Sequence, residues 1–149
     1  MKEYTVEDVK NVLRPRLGDD VPLLLFRILR IIGMRSILGE SSGATLYMMG
    51  KRVGNMLPAS TMEQFVDTIL ELKIGIPHIT TVDEDHINVK LYECITCAGF
   101  SYTGEMFCDM ESGIIAGLLE NVLGKKAKST QTKSWTAGYE YCEFEVFLY

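Results

Sequence analysis

Four cysteines are the residues of this sequence best suited to chemistry, and their spacing limits what they can do. Cys94 and Cys97 form a C-x-x-C, Cys108 follows after ten intervening residues, and Cys142 lies near the end of the chain. A two-residue spacer lets two thiolates bind one tetrahedral ion. Thiolate ligands suit zinc or, as the less favoured cofactor, an iron–sulfur cluster. The sequence therefore predicts a structural metal site at Cys94, Cys97, Cys108 and Cys142.

Two other interpretations of the same cysteines stay open. Reduced cysteines pack well as small apolar side chains, and Cys94 and Cys97 would point to opposite faces if a regular strand continued through them. A redox or disulfide pair is disfavoured, because the C-x-x-C lacks a helix N-terminus that would lower a thiol pKa. The polar N-terminus MKEYTVEDVK has no apolar signal-peptide core, so we expect a cytoplasmic protein with reduced cysteines.

Five aromatic residues are candidates for the lining of an apolar ligand pocket, although core packing is the default explanation for such residues. They are Tyr47, Phe100, Tyr102, Phe107 and Trp135. His78 and His86 flank an acidic turn and could face each other across a hairpin, but exposed hairpin histidines are more common. Glu105, Asp109 and Glu111 look like loop and capping charges, and no pair among them is diagnostic of acid–base catalysis. No catalytic residue is predicted.

The length and composition of the chain bound its organisation. At 149 residues the chain is long enough for one domain, which we take to be residues 1–149. Apolar residues make up 47% and charged residues 23%, an ordinary globular balance that argues against disorder. The formal net charge of −5 does not provide the basic footprint that phosphate binding needs. The composition therefore disfavours a nucleic-acid partner.

The segment VPLLLFRILRIIGMRSIL, residues 21–38, is the stretch that could suggest a membrane span. Arg27 and Arg30 fall near its middle, and each central arginine costs about 2.5–3.5 kcal/mol on membrane insertion. We therefore predict a helix outside the membrane that is capped by Asp20, ends at Gly39 and is buried on two sides. One side would face the core and the other a second subunit, so a homodimer through the N-terminal helices is expected.

Two more helices are predicted before the middle of the chain. The first begins near residue 40, and its glycines Gly43, Gly50 and Gly54 recur on one side, where another element could approach closely. The second begins at Ser60-Thr61-Met62-Glu63, which has the pattern of a capping box, and continues with apolar residues at helical spacing. The first half of the chain is therefore expected to be helical.

The second half combines strands with one helix. The stretches from His78 to Thr81 and from Ile87 to Leu91 flank an acidic turn, and a hairpin is their simplest arrangement. A helix capped by Asp109 follows, and two strands, Lys128 to Trp135 and Cys142 to Leu148, close the chain. The predicted fold class is α+β, with N-terminal helices packed on a C-terminal antiparallel sheet and one helix inserted between its strands.

Three segments of the second half carry a resemblance to a known family. They are LYECITC, CDMESGIIAGLLENVLG and GYEYCEFEV, and they resemble the core of a 4-vinyl reductase domain. Gly113 and Gly117 in the helix, and the run from Tyr141 to Phe144, are the most specific parts. The domain is also similar to the effector-sensing modules of phenol-responsive activators and, more distantly, to TRAPP-type Golgi-tethering subunits. The resemblance implies a mixed α+β fold, dimerisation through helices and a pocket for hydrophobic molecules.

The sensing modules that this domain resembles bind a structural zinc ion through cysteines and a glutamate. Cys108 and Cys142 match the first and last of those ligands. The glutamate and the middle cysteine fall near Gln131 and Ser134, and neither residue is a good zinc ligand. The resemblance therefore supplies half a zinc site, and any metal here must recruit the C-x-x-C instead.

Several classes of function stay open on the sequence. The first is a binding domain for an apolar small molecule, with a regulatory or sensory role. The second is a component of a vinyl reductase or another tetrapyrrole-related enzyme, which the lack of a dinucleotide fingerprint, nucleophile motif or acid–base pair disfavours. The third is a dimeric assembly subunit without a ligand. We expect the first.

Overall fold

The computed structural model of the protein describes residues 1–149 as helices in the first half and a four-stranded sheet in the second. The α-helices are α1 (Val6–Val9), α2 (Leu23–Arg27), α3 (Met34–Leu38), α4 (Ser42–Met56), α5 (Met62–Glu71) and α6 (Asp109–Leu123). A π-helical segment, Ile28–Gly33, joins α2 to α3, and short 3-10 turns cover Gly39–Ser41 and Trp135–Ala137. The strands are β1 (Ile76–Asp83), β2 (His86–Tyr92), β3 (Ala127–Lys133) and β4 (Cys142–Leu148).

The sheet is antiparallel throughout, with the strand order β1-β2-β4-β3. Val89 lies opposite Phe144, and Ser129 lies opposite Val146. Alternate residues of the two central strands are buried, which is the pattern of a sheet with one covered face. Helix α6 lies between β2 and β3 in the chain and contributes buried apolar side chains to the same core. The predicted α+β fold, with one helix inserted between the strands, is confirmed.

Helices α4 and α6 cross at glycines from both partners. A Cβ atom added at Gly50 would lie 2.1 Å from the carbonyl oxygen of Met110, and one added at Gly113 would lie 2.1 Å from that of Tyr47. Gly54 and Gly117 are equally confined by the opposing main chain. The two helices therefore touch backbone to backbone, as the small residues of both sequences allow. The predicted close approach is confirmed at Gly50 and Gly54, and its partner is α6. At Gly43 an added Cβ would meet only the Asp109 side chain, at 3.4 Å.

Three helix starts differ from the prediction. Helix α2 begins at Leu23 with Pro22 at its N-cap, so Asp20 does not cap it. Thr61, not Ser60, is the N-cap of α5, and its hydroxyl accepts a hydrogen bond from the Gln64 main-chain N–H. The side-chain oxygen of Gln64 accepts hydrogen bonds from the main-chain N–H and the hydroxyl of Ser60. Gln64 therefore makes the return contact of the capping box that was predicted for Glu63. At α6 the N-cap position is Cys108, and Asp109 is the first helical residue.

The apolar segment predicted as one helix forms α2, the π-helical segment and α3, which together we call the N-terminal apolar helix (residues 23–38). Its inner side packs Phe26, Ile31 and Met34 against the core. Its outer side leaves Leu24 68% and Ile32 67% exposed. One of the two predicted buried sides is therefore covered within the chain, and the opposite side is open. None of the helices in the structure is both long and apolar enough to cross a membrane.

Candidate metal centre and adjoining groove

The four cysteines come from three places in the fold. Strand β2 ends at Tyr92, and Glu93 has a positive φ of 51° that turns the chain out of the strand. Cys94 and Cys97 therefore lie in the turn after β2, which removes the objection that a regular strand would point them apart. Cys108 is at the N-cap of α6, and Cys142 is the first residue of β4.

The four sulfur atoms converge on one small volume. All four Sγ atoms lie within 4.8 Å of one another, and all four side chains are fully buried. The Sγ atom of Cys97 lies 3.1 Å from that of Cys142 and 3.4 Å from that of Cys108. The Sγ atom of Cys108 lies 3.8 Å from that of Cys94. These four buried cysteines, which we call the cysteine cluster, could hold a metal ion.

The thiols of the cysteine cluster perturb one another's protonation. Hydrogen bonds from Cys108, Cys142 and Cys94 hold the pKa of Cys97 far below that of an ordinary thiol, because they stabilise its thiolate. The pKa of Cys108 is raised, first through its hydrogen bond with Cys142 and further by burial. The thiolate is therefore favoured at Cys97 relative to Cys108. A metal ion would complete the site by displacing the remaining thiol protons.

Two arginines of the N-terminal apolar helix reach the main chain beside the cysteines. Arg27 donates from Nε to the carbonyl oxygen of Ile95 at 2.9 Å and from Nη2 to that of Ala98 at 3.0 Å. Arg30 donates from Nη2 to the carbonyl oxygen of Phe107 at 2.6 Å. From the sequence, these arginines are an argument against a membrane span, and no partner is predicted for them. Because charged side chains inside an apolar helix are costly to bury alone, their position already indicates that they have buried partners.

A buried carboxyl group lies near the same site. Glu111 lies in the first turn of α6, but it is fully buried and makes no cap, so its interpretation as a loop or capping charge is wrong. Its Oε1 accepts a hydrogen bond from the hydroxyl of Thr96, and its Oε2 has no partner in the protein. Burial raises the pKa of Glu111 above the ordinary glutamate range, against the lowering effect of Thr96 and the Arg30 charge.

The two residues at the family's other ligand positions also contact the cysteine cluster. The side-chain oxygen of Gln131 accepts a hydrogen bond from the main-chain N–H of Cys108 at 3.0 Å. The hydroxyl of Ser134 donates to the Sγ atom of Cys97 at 3.7 Å. Both residues therefore support the cysteines through hydrogen bonds.

A groove opens next to the cysteine cluster, between α4, the first turns of α6 and β3. Its volume is about 460 Å³. Tyr47, Met48 and Met106 provide apolar lining, whereas Asp109 and Lys128 provide charged lining. The main-chain N–H of Ser129 on β3 donates to the Tyr47 hydroxyl at 3.1 Å, which ties the strand edge to α4. The groove therefore combines an apolar wall with polar groups.

The five aromatic candidates for pocket lining do not share one site. Tyr47 lines the groove. Phe100 and Phe107 pack edge to face with ring centroids 5.3 Å apart, and Tyr102 is 73% exposed. Trp135 is half-buried against the core, and its Nε1 has no hydrogen-bond partner. A ligand role for these residues stays a prediction, and the geometry favours Tyr47 among them.

The two histidines lie apart on the hairpin. The register of β1 and β2 places His78 opposite Lys90 and His86 opposite Asp83. His86 binds the Glu145 carboxylate and stacks on the Phe147 ring, with centroids 4.5 Å apart. The two imidazoles therefore do not face each other.

The chain is a small α+β domain with a buried cysteine cluster and a groove beside that cluster. The 4-vinyl reductase domain family matches residues 87–147. MJ1642, an uncharacterized protein of Methanocaldococcus jannaschii, is 34% identical over 132 residues, which cover 89% of this chain and 81% of that protein. The chain belongs to the 4-vinyl reductase domain family.

Three solved structures share this fold at low sequence identity. A vinyl-4-reductase family protein from M. jannaschii has a TM-score of 0.71 and 19% identity, covering 90% of this chain and 85% of that one. The phenol-responsive sensory domain of the transcription activator PoxR, with phenol, has a TM-score of 0.68 and 14% identity, covering 86% and 75%. A trafficking protein particle complex subunit 3 from Naegleria fowleri, covalently bound to palmitic acid, has a TM-score of 0.63 and 16% identity, covering 85% and 95%. The expected family and its likeness to Golgi-tethering subunits are confirmed.

Proposed function

We propose that this chain is a regulatory domain that binds a mainly apolar small molecule in the groove beside Tyr47. The observation that carries this proposal is the groove itself, because about 460 Å³ lies within the usual range of small-molecule sites. The sensory domain of PoxR, which shares the fold, was solved with phenol, and a ligand-binding regulatory role suits a domain of this family. We place the domain in the cytoplasm, where its cysteines stay reduced.

The lining of the groove indicates the chemistry of the ligand. The Met48 and Met106 side chains can adapt to an apolar body of variable shape. Ser129 and Gln131 belong to an edge strand, where outward main-chain groups other than the Ser129 N–H can hydrogen-bond a ligand. A ring or short chain with one hydroxyl or carbonyl group fits both features.

We further propose that the cysteine cluster holds a structural zinc ion. With zinc–sulfur bonds of about 2.3 Å, tetrahedral geometry requires sulfur atoms about 3.8 Å apart. The Sγ separations range from 3.1 Å, between Cys97 and Cys142, to at most 4.8 Å, and two of them are 3.8 Å, so they lie around that value. A cluster of several irons would need thiolates spread around a larger body, so this spacing favours a single ion.

The homodimer predicted from the sequence forms part of the same proposal. The outer side of the N-terminal apolar helix exposes Leu24, Ile32 and, at 85%, Ile37. Contiguous apolar surface of this kind marks an interaction site in soluble proteins. Ile32→Glu should convert a dimer into a monomer, which multi-angle light scattering would show. A wild-type protein that is monomeric at high concentration would contradict the dimer.

Native mass spectrometry and elemental analysis of the purified protein test the ligand and the metal separately. We expect one zinc ion per chain and a retained small molecule. Ala44→Trp should fill the groove and weaken binding of the apolar dye 1-anilinonaphthalene-8-sulfonate by about tenfold, which is about 1.4 kcal/mol. Thr45→Trp is the matched control, because Thr45 is exposed beside the groove without lining it. Equal dye affinity in both variants would contradict the ligand site.

A further inference from the structure

We propose that Arg27 and Arg30 couple the cysteine cluster to the N-terminal apolar helix, so that metal binding fastens this helix to the domain. The inference rests on the proposed zinc site and adds a role for the two arginines. They are positioning residues, because both hold the main chain beside the cysteines and neither provides a metal ligand. The helix that carries them is also the proposed dimer surface. Metal binding would therefore hold the proposed dimer surface in one orientation relative to the rest of the domain, and metal loss would release it.

The contacts of Arg27 define the first half of this connection. Its guanidinium binds the carbonyl oxygens of Cys94, Ile95 and Ala98, at 3.4, 2.9 and 3.0 Å. These carbonyls belong to the turn of residues 94–98, which we call the knuckle because it carries both cysteines of the C-x-x-C. The planar fork of an arginine suits several fixed acceptors better than the single ammonium of a lysine does. The shape of the knuckle and the position of Arg27 therefore depend on each other.

Arg30 makes the second half of the connection, one helical turn further along. Its side chain is buried, and Nη2 donates to the carbonyl oxygen of Phe107, the residue immediately before Cys108. Its Nε and Nη1 have no hydrogen-bond partner in the protein. The two arginines thus reach the main chain next to three of the four cysteines. The Arg30 charge already acts on the carboxyl groups of Asp109 and Glu111, although neither accepts a hydrogen bond from Arg30.

Metal binding would add negative charge beside both arginines. A divalent ion on four thiolates leaves two net negative charges in a fully buried site, and such charges are costly unless they are compensated. Arg27 and Arg30 bring two positive charges to the edge of the same site. Without the metal, no bond holds the four sulfur atoms to one point, so the knuckle whose carbonyl oxygens bind Arg27 is no longer fixed in shape. The contacts of Arg27 therefore favour the docked helix in the metal-bound state.

Apart from the two arginines, the N-terminal apolar helix makes few contacts that hold it to the domain. Its outer side is exposed, and residues 1–22 before it are exposed apart from Val6. Phe26, Ile31 and Met34 are only half-buried against the core. Because coupling between two sites is reciprocal, the docked helix should also slow loss of the metal. The proposal thus makes one prediction for the helix and one for the metal.

Hydrogen exchange followed by mass spectrometry tests the prediction for the helix. Elemental analysis first establishes that the full-length protein contains zinc, so failure of the metal site itself would be seen before exchange is measured. Removing zinc with a chelator should then speed exchange in residues 23–38 by about tenfold and leave α5 nearly unchanged. Unchanged exchange in residues 23–38 would overturn the proposal. Equal loosening of α5 would overturn it too, because the metal would then support the whole domain rather than this helix.

Three variants test the prediction for the metal. Arg27→Gln should retain zinc but release it to a chromogenic chelator about tenfold faster than the wild type, with faster exchange in residues 23–38. Arg27→Lys keeps the positive charge but lacks the planar guanidinium, so its zinc release rate should lie between those of the wild type and Arg27→Gln. Arg52→Gln removes the same charge from α4 and serves as the control, since Arg52 pairs with Glu3 at the surface, whereas Arg35 lies over the Phe107 ring beside Cys108. Equal release rates from Arg27→Gln and Arg52→Gln would overturn the proposal.

Discussion

Replacing Gly113 with alanine tests the backbone-to-backbone crossing of α4 and α6. A Cβ atom at this position would lie 2.1 Å from the carbonyl oxygen of Tyr47 and 2.7 Å from the main-chain nitrogen of Lys51. Both neighbours belong to the main chain of α4, so no side chain can rotate away. The two helices must therefore separate by about 1 Å, because carbon and oxygen atoms that are not bonded do not approach so closely.

The cost of this separation can be set against the intrinsic gain from alanine. In an exposed helix, glycine to alanine stabilises by about 1 kcal/mol. Overpacking of a close-packed site costs about 1–3 kcal/mol and occasionally more. Here the movement would also loosen the contacts of Gly50, Gly54 and Gly117, which are confined in the same way. With a cost at the upper end of that range less the gain from alanine, we expect a net loss of about 2 kcal/mol in the free energy of unfolding and a fall in Tm of about 6 °C.

Urea denaturation followed by circular dichroism, at a fixed zinc concentration, measures this loss. Gly33→Ala is the matched control, because its added Cβ would lie 3.7 Å from the carbonyl oxygen of Ile28, an ordinary contact distance. That variant should be stabilised by about 0.5–1 kcal/mol. The reasoning would be refuted if Gly113→Ala lay within about 0.5 kcal/mol of the wild type, a typical effect of a neutral surface substitution.

Three further predictions concern side chains that hydrogen-bond the main chain at helix ends. Thr61→Ala should cost about 1 kcal/mol in urea denaturation, because the main-chain N–H of Gln64 loses its acceptor. Asn121→Ala should cost about 1–3 kcal/mol in the same assay, since the Asn121 amide donates to three carbonyls at the end of α4. At the start of α1, Asp8 accepts hydrogen bonds from the main-chain N–H and the hydroxyl of Thr5, which form a capping box and lower the pKa of Asp8. The stabilisation from this box should be present above the ordinary aspartate value of 3.8 and be lost as the pH falls through the lowered pKa. Carboxyl NMR titration measures this, and an unshifted pKa in the wild type would contradict the box.

Much of the architecture could be predicted because local patterns encode it. The stretch from Cys142 to Leu148 alternates in sequence and forms β4 over those residues. Gly124 ends α6 with a left-handed φ of 66°, as a glycine after the last apolar residue predicts. The start of α5 was missed by one residue, because Ser60 and Thr61 both suit a cap and Glu63 and Gln64 both suit its closure. Such ambiguity is resolved only by the path of the incoming chain.

The candidate site was harder to predict, because its parts are distant in sequence. The four cysteines could be grouped from spacing and residue type alone. The positive φ at Glu93, which turns the C-x-x-C out of the strand, has no signal in the residue type, since glutamate rarely adopts that conformation. The partners of Arg27 lie 67 to 71 residues along the chain, beyond the reach of any local pattern. The aromatic residues indicate where apolar surface exists but not which cavity it surrounds.

A hydrogen bond connects the cysteine cluster to the groove, so we expect the two proposed sites to affect each other. Gln131 lines the groove, and its side-chain oxygen holds the main-chain N–H of Cys108. Asp109, the next residue, also lines the groove, so the first turn of α6 belongs to both sites. A metal that fixes Cys108 would therefore fix this wall of the groove. Ligand affinity should then depend on zinc even though no cysteine lines the groove.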